Sequence, residues 1–159
     1  MRVDRTLLVA ALFCTTAYAQ ESAAGGRPDL SGTWKLESRN QQPASELMLV
    51  IEQHENDVVL REKTSSGTIQ VDVKCATNGV ECPAKIDGNK AKVTYYFNGP
   101  MLVEHVWRGD EVTKTRRRLS PDGSKLTVEV MPLTRPGEVE KLVFIRNAEA
   151  GQQQAAATR

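Results

Sequence analysis

Between residues 29 and 146, apolar and polar residues alternate in short runs, each stopped by Gly, Pro, Asn or Asp. A period of two sends successive side chains to opposite faces, so each run predicts a strand with one face buried. Residues 33–37 place Trp34 and Leu36 inward. Residues 47–52 follow, and Asn56-Asp57 turns the chain into 58–63. Ile69, Val71 and Val73 share a face with Cys75, and Val93, Tyr95 and Phe97 share one after the turn Asp87-Gly88-Asn89. The turns Asn98-Gly99-Pro100, Gly109-Asp110, Pro121-Asp122-Gly123 and Arg135-Pro136-Gly137 then separate strands over 101–108, 112–119, 125–131 and 138–146.

The pattern amounts to about ten short strands in sequential hairpins, with almost no helical periodicity. A single antiparallel sheet of that width curls, and closing it removes its exposed edges. The expected fold is therefore all-β, an antiparallel up-and-down barrel of about 8–10 strands. A β-sandwich is the alternative. No linker interrupts the run and no internal repeat is visible, so residues 29–147 are expected to form one barrel domain.

The flanks read differently. Arg2 and Arg5 lead an apolar stretch over 7–13, and Ala17-Tyr18-Ala19 supplies the small-x-small pattern that signal peptidases cut. Residues 1–19 are expected to be a signal peptide and the product to be secreted or periplasmic after cleavage near Ala19. The apolar stretch is far below the roughly 20 residues that span a bilayer, so no membrane span is expected. Residues 20–28, rich in Ala, Gly, Ser and charge, read as a flexible leader, and 148–159 as a disordered tail.

The formal charge is +1, and losing Arg2, Asp4 and Arg5 brings it near zero. Such a chain has no long-range field to steer it onto nucleic acid, so no nucleic-acid partner is expected. Hydrophobic content of 40% suffices for a core, whereas 5% aromatic means that any cavity is walled mainly by Val, Leu and Ile. Of three cysteines, Cys14 falls within the signal, which leaves Cys75 and Cys82 as a predicted disulfide in an oxidising compartment. Two thiolates with no histidine nearby make half a zinc site at best, so neither metal nor cofactor is expected.

The opening strand Asp29-Leu30-Ser31-Gly32-Thr33-Trp34-Lys35-Leu36 resembles the Gly-x-Trp opening of lipocalins and fatty-acid-binding proteins. The segments Trp107-Arg108-Gly109-Asp110-Glu111-Val112 and Leu119-Ser120-Pro121-Asp122-Gly123-Ser124-Lys125-Leu126-Thr127-Val128 are similar to hairpins of small exported bacterial lipocalin-like (calycin-type) proteins of uncharacterised function. The resemblance covers about residues 29–146 and implies a ligand-holding barrel without naming the ligand. True lipocalins follow the opening motif with a short helix. Residues 39–45 here are a brief polar loop, so a helical lid is not implied.

Candidate chemistry is sparse. His105 alternates with Met101, Val103 and Trp107, the more apolar face of its strand, and is expected to point inward. The structural reading is a core histidine satisfied by one partner; the functional reading is a polar anchor for a ligand. Thr113, Thr115, Arg117 and Leu119 share one face of the next strand, and its mixed composition leaves the inward face open. The rim or outward position is the expectation for Arg117. An inward Arg117 could meet an anionic ligand group and would need a partner such as Glu62 or Glu104, because a buried unpaired guanidinium is very costly. The ligand-binding candidates are thus Trp34, Leu36, Tyr95, His105, Trp107 and Arg117. No Ser-His-Asp order, phosphate loop, metal-ligand spacing or paired-carboxylate motif is present, so no catalytic residue is assigned.

The leading expectation is an exported, non-enzymatic barrel that binds a small apolar or amphipathic molecule inside. The alternative is a scaffold with a protein partner, such as a periplasmic inhibitor of a cell-wall-degrading enzyme acting through a protruding loop over 75–82. An enzyme would need a buried acid–base pair, and His105 with an unidentified carboxylate is all the sequence offers.

Overall fold

A computed structural model of the chain describes residues 26–147. The expected signal peptide, Cys14, most of the leader and the tail lie outside the described residues. The strands are β1 (Gly32–Arg39), β2 (Gln42–Pro43), β3 (Leu47–Gln53), β4 (Asp57–Thr64), β5 (Ile69–Ala76), β6 (Cys82–Ile86), β7 (Asn89–Asn98), β8 (Met101–Arg108), β9 (Glu111–Leu119), β10 (Lys125–Pro132) and β11 (Glu140–Arg146). Each pairs antiparallel with its sequence neighbour from β3 onward, and β1 pairs with both β3 and β11. That last pairing closes a ten-stranded up-and-down barrel. The described residues contain no helix, and the two-residue β2 folds back on the end of β1 as a small flap.

The turn chemistry follows the sequence. Ile86 pairs with Asn89, so Asp87 and Gly88 alone reverse the chain, both at positive φ (50° and 77°), as a type I′ hairpin requires. Two strands were not legible in the alternation. The flap β2 is only two residues long, and β6 is short, carries Pro83 and shows just Ala84 and Ile86 as buried positions.

The two ends of the barrel differ. At the end holding the loops over 54–56, 77–81, 99–100 and 120–124, the lumen is solid. Leu30 plugs it beneath Trp34, whose indole Nε1 donates to the Leu30 carbonyl at 3.0 Å, and Ile51, Val58, Val73, Val93, Leu102 and Leu126 pack around them. Arg146 of β11 lays its guanidinium 4.3 Å from the Trp34 ring centroid and donates to the Ser31 carbonyl at 2.7 Å. Gly32, at φ 144°, makes room for it: a Cβ there would stand 2.6 Å from Arg146 Nη1. The Gly-x-Trp opening therefore has a local physical cause, a cation seated on an indole over a residue with no side chain. Cys75 and Cys82 form a disulfide that clips the end of β5 to the start of β6. The clip adds a covalent tie where the ladder is thin, since only Val71–Ile86 and Asp72–Lys85 pair between those strands.

Candidate functional site

The other half of the lumen is hollow. A cavity of about 440 Å³ runs from mid-barrel to the end that carries the loops over 40–46, 65–68, 87–88, 109–110 and 133–139. Leu47, Leu49, Val71, Ile86, Val106, Val128, Val130, Leu142 and Phe144 make its apolar wall. Glu62, Glu104, Thr113, Thr115 and Arg117 project into it from β4, β8 and β9, and Arg39, Glu46, Arg108, Glu111 and Glu140 stand toward the mouth.

Its floor is a buried ion pair. Glu104 is 4% exposed and Arg117 2% exposed, and Arg117 Nη2 donates to Glu104 Oε2 at 2.9 Å. The register explains how they meet. Glu104 lies opposite Tyr95 of β7 and opposite Thr115 of β9, so Arg117, two residues along, reaches it diagonally. The Tyr95 hydroxyl donates to the second Glu104 oxygen, Oε1. Burial first, then the Glu104 charge, raises the Tyr95 pKa well above its ordinary value and keeps the phenol protonated as a donor. Burial pushes the Arg117 pKa down, but Glu104, Tyr95 and Glu62 outweigh it and the net direction is up. Arg117 therefore stays a cation, and its Nε and Nη1 are buried without a hydrogen-bond partner among the described residues.

Glu62 faces this pair from β4, on another part of the wall. Burial is the main cause that raises its pKa; Arg117 opposes the rise and Glu104 adds to it. At the mouth, Arg39 is held by Glu140 at 2.6 Å and Arg108 lies 3.7 Å from Asp87.

The structure redistributes the six sequence-predicted residues. Arg117 is inward, against the rim expectation, because Glu104 supplies the partner that a buried guanidinium requires. Tyr95 is inward as expected and reaches the cavity only through Glu104. Trp34 and Leu36 are inward but belong to the packed core rather than to the cavity lining. His105 and Trp107 correct the expectation outright: they lie on the outer face. Leu102 and Val106 join the core, which turns Glu104 inward and His105 out. The outer His105 ring sits 5.8 Å from those of Tyr96 and Trp107, and desolvation followed by Lys114 lowers its pKa. Strand polarity misled here. By polarity alone Glu104 falls on the outer face; its partners on β7 and β9, nine and thirteen residues away, make it an interior residue.

Glu62 was recognisable only as a conditional partner of Arg117, and the rim residues carried no signal at all. The disulfide loop ends at the solid end of the barrel, far from the mouth, with Val80 60% exposed and Gly79 N–H donating to the Tyr95 carbonyl at 2.9 Å.

No protein-family model matches the chain, and comparison with curated proteins finds no match. Solved structures do match in fold. Human cRBP IV superposes with a TM-score of 0.59 at 21% identity, over 76% of this chain and 99% of that one. The REP1-NXSQ fatty acid transporter gives 0.60 at 18% identity, over 75% and 96%. Fatty-acid-binding protein 1 of Echinococcus granulosus gives 0.59 at 12% identity, over 75% and 98%. At such identities the likeness is one of architecture alone, a closed antiparallel β-barrel.

Proposed function

We propose that this chain is an exported, non-enzymatic barrel that binds a small apolar or amphipathic molecule in its lumen. The observation that carries the reading is the cavity of about 440 Å³, apolar-walled, polar at its floor and open at one end. Ligand sites of roughly 300–1,000 Å³ with a few convergent polar groups have this form. Two of the fold's relatives are described as a fatty acid transporter and a fatty-acid-binding protein, which supports the same use of the lumen. The Cys75–Cys82 disulfide supports an oxidising compartment, in keeping with the signal-like pattern of residues 1–19.

The test is native mass spectrometry of the protein purified from its exported fraction, paired with titration of an uncharged fluorescent lipid probe. The proposal expects a retained small molecule or saturable probe binding that Val128→Trp, which fills the lumen, abolishes. Binding unchanged by Val128→Trp, or no binding by either method, contradicts it.

A further inference from the structure

We infer that the lumen accepts a chain whose polar head is uncharged and both donates and accepts hydrogen bonds, such as a hydroxyl or an amide, and that it turns away carboxylates. The inference rests on the lumen being a binding site, and it concerns which head group that site takes.

The argument is one of charge and of unmet hydrogen bonds. Among the described lining residues, Arg117 is the cation at the cavity floor, and its charge is already met by Glu104 at 2.9 Å. Glu62 brings a second carboxylate to the same space. The floor therefore carries a formal charge of about −1 when all three groups are ionised, and an arriving carboxylate would add a third acid against one guanidinium in a poorly screened interior. The mouth offers it little better: Arg39 Nε is a buried donor with no acceptor among the described residues, but the Arg39 charge is met by Glu140, Arg108 leans toward Asp87, and Glu46 and Glu111 line the same rim.

Two groups facing this space lack a partner among the described residues, one buried and one half-buried. Arg117 Nε and Nη1 are buried donors without an acceptor among the described residues. Among the described residues no hydrogen bond to the Glu62 carboxyl is found, so that group is an acceptor without a donor. A head that accepts from Arg117 and donates toward Glu62 satisfies both and adds no charge. A carboxylate answers only the first need. An ammonium answers only the second and sets a cation beside Arg117.

The experiment titrates the disulfide-bonded protein at neutral pH with dodecanol, dodecanoic acid and dodecylamine, each displacing an uncharged fluorescent lipid probe. The expected result is dodecanol binding at least about tenfold tighter than either charged chain. Glu62→Gln should narrow the preference for dodecanol over dodecanoic acid several-fold, because it removes the second carboxylate from the space the head group enters. Dodecanoic acid binding as tightly as dodecanol, or dodecylamine binding tightest, overturns the head-group inference while leaving lumen binding intact. Failure of the probe and of all three chains to bind overturns both.

Discussion

Removing one member of the Glu104–Arg117 pair should damage the barrel far more than removing both. The charges are 2.9 Å apart and nearly inaccessible to solvent. At an effective dielectric of about 20, their attraction is about 6 kcal/mol, most of it offset by the cost of taking both groups out of water. Arg117→Met abolishes the attraction but leaves Glu104 desolvated, held only by Tyr95 and facing Glu62. Glu104→Leu leaves Arg117 buried, with only the half-buried Glu62 nearby. Each single change is expected to cost about 3–5 kcal/mol. The double variant Glu104→Leu/Arg117→Met should lie within about 1 kcal/mol of the parent or above it, which gives a coupling of several kcal/mol. Urea unfolding followed by circular dichroism measures this directly. With a slope near 2 kcal/mol/M, each single variant moves the midpoint down by about 2 M. Single variants that lose less than about 1 kcal/mol, or a double variant whose loss equals the sum of the two, would refute the placement of this pair in a dry interior.

Glu62 gives a prediction of opposite sign. Its pKa is raised in the barrel from 4.5, so ionising it is harder in the folded chain than in the unfolded one. Its contribution to stability is fully favourable below the unfolded value and is lost as pH rises through the folded value. Glu62→Gln should therefore stabilise the protein at pH 7 and leave it unchanged near pH 4, as thermal melts at both pH values would report; a variant less stable at pH 7 contradicts this. Replacing Cys75 and Cys82 with Ala should cost about 2 kcal/mol, since the pair closes a loop of sequence separation 7. Guanidinium unfolding checks it, and a change below about 0.5 kcal/mol would show that β5 and β6 hold without the clip. Gly32→Ala should cost about 1–3 kcal/mol by pushing Arg146 off Trp34 and straining φ, visible as a shift in tryptophan emission together with a lower melting temperature.

Most of the barrel was readable because its strands obey a two-residue rhythm with explicit turn residues. Trp34, Tyr95 and Val128 all declared their side of the sheet by alternation alone. Closure followed from the number of strands and the need to hide edges. The cavity floor was not readable in the same way. On β8 the apolar face (Met101, Val103, Trp107) is the outer one, and the face bearing Glu104 is the inner one. Alternation assigns faces by polarity and so fails where a charge is buried with partners on other strands. Those partners come from the register of β7, β8 and β9, a three-strand fact that no single segment contains. β6 was hidden for a simpler reason: it is five residues long, carries Pro83, and offers only Ala84 and Ile86 as inward positions, too few to register as a strand.

The most direct test of the account locates a bound chain within the barrel. Isotope-filtered NMR on the protein saturated with dodecanol should give contacts from the chain's methylenes to Leu49, Val71, Val128 and Leu142, with the Glu62, Thr115 and Arg117 backbone amides shifted. Contacts to the outer Tyr96, His105 and Trp107 instead, with the lumen residues unmoved, would contradict it.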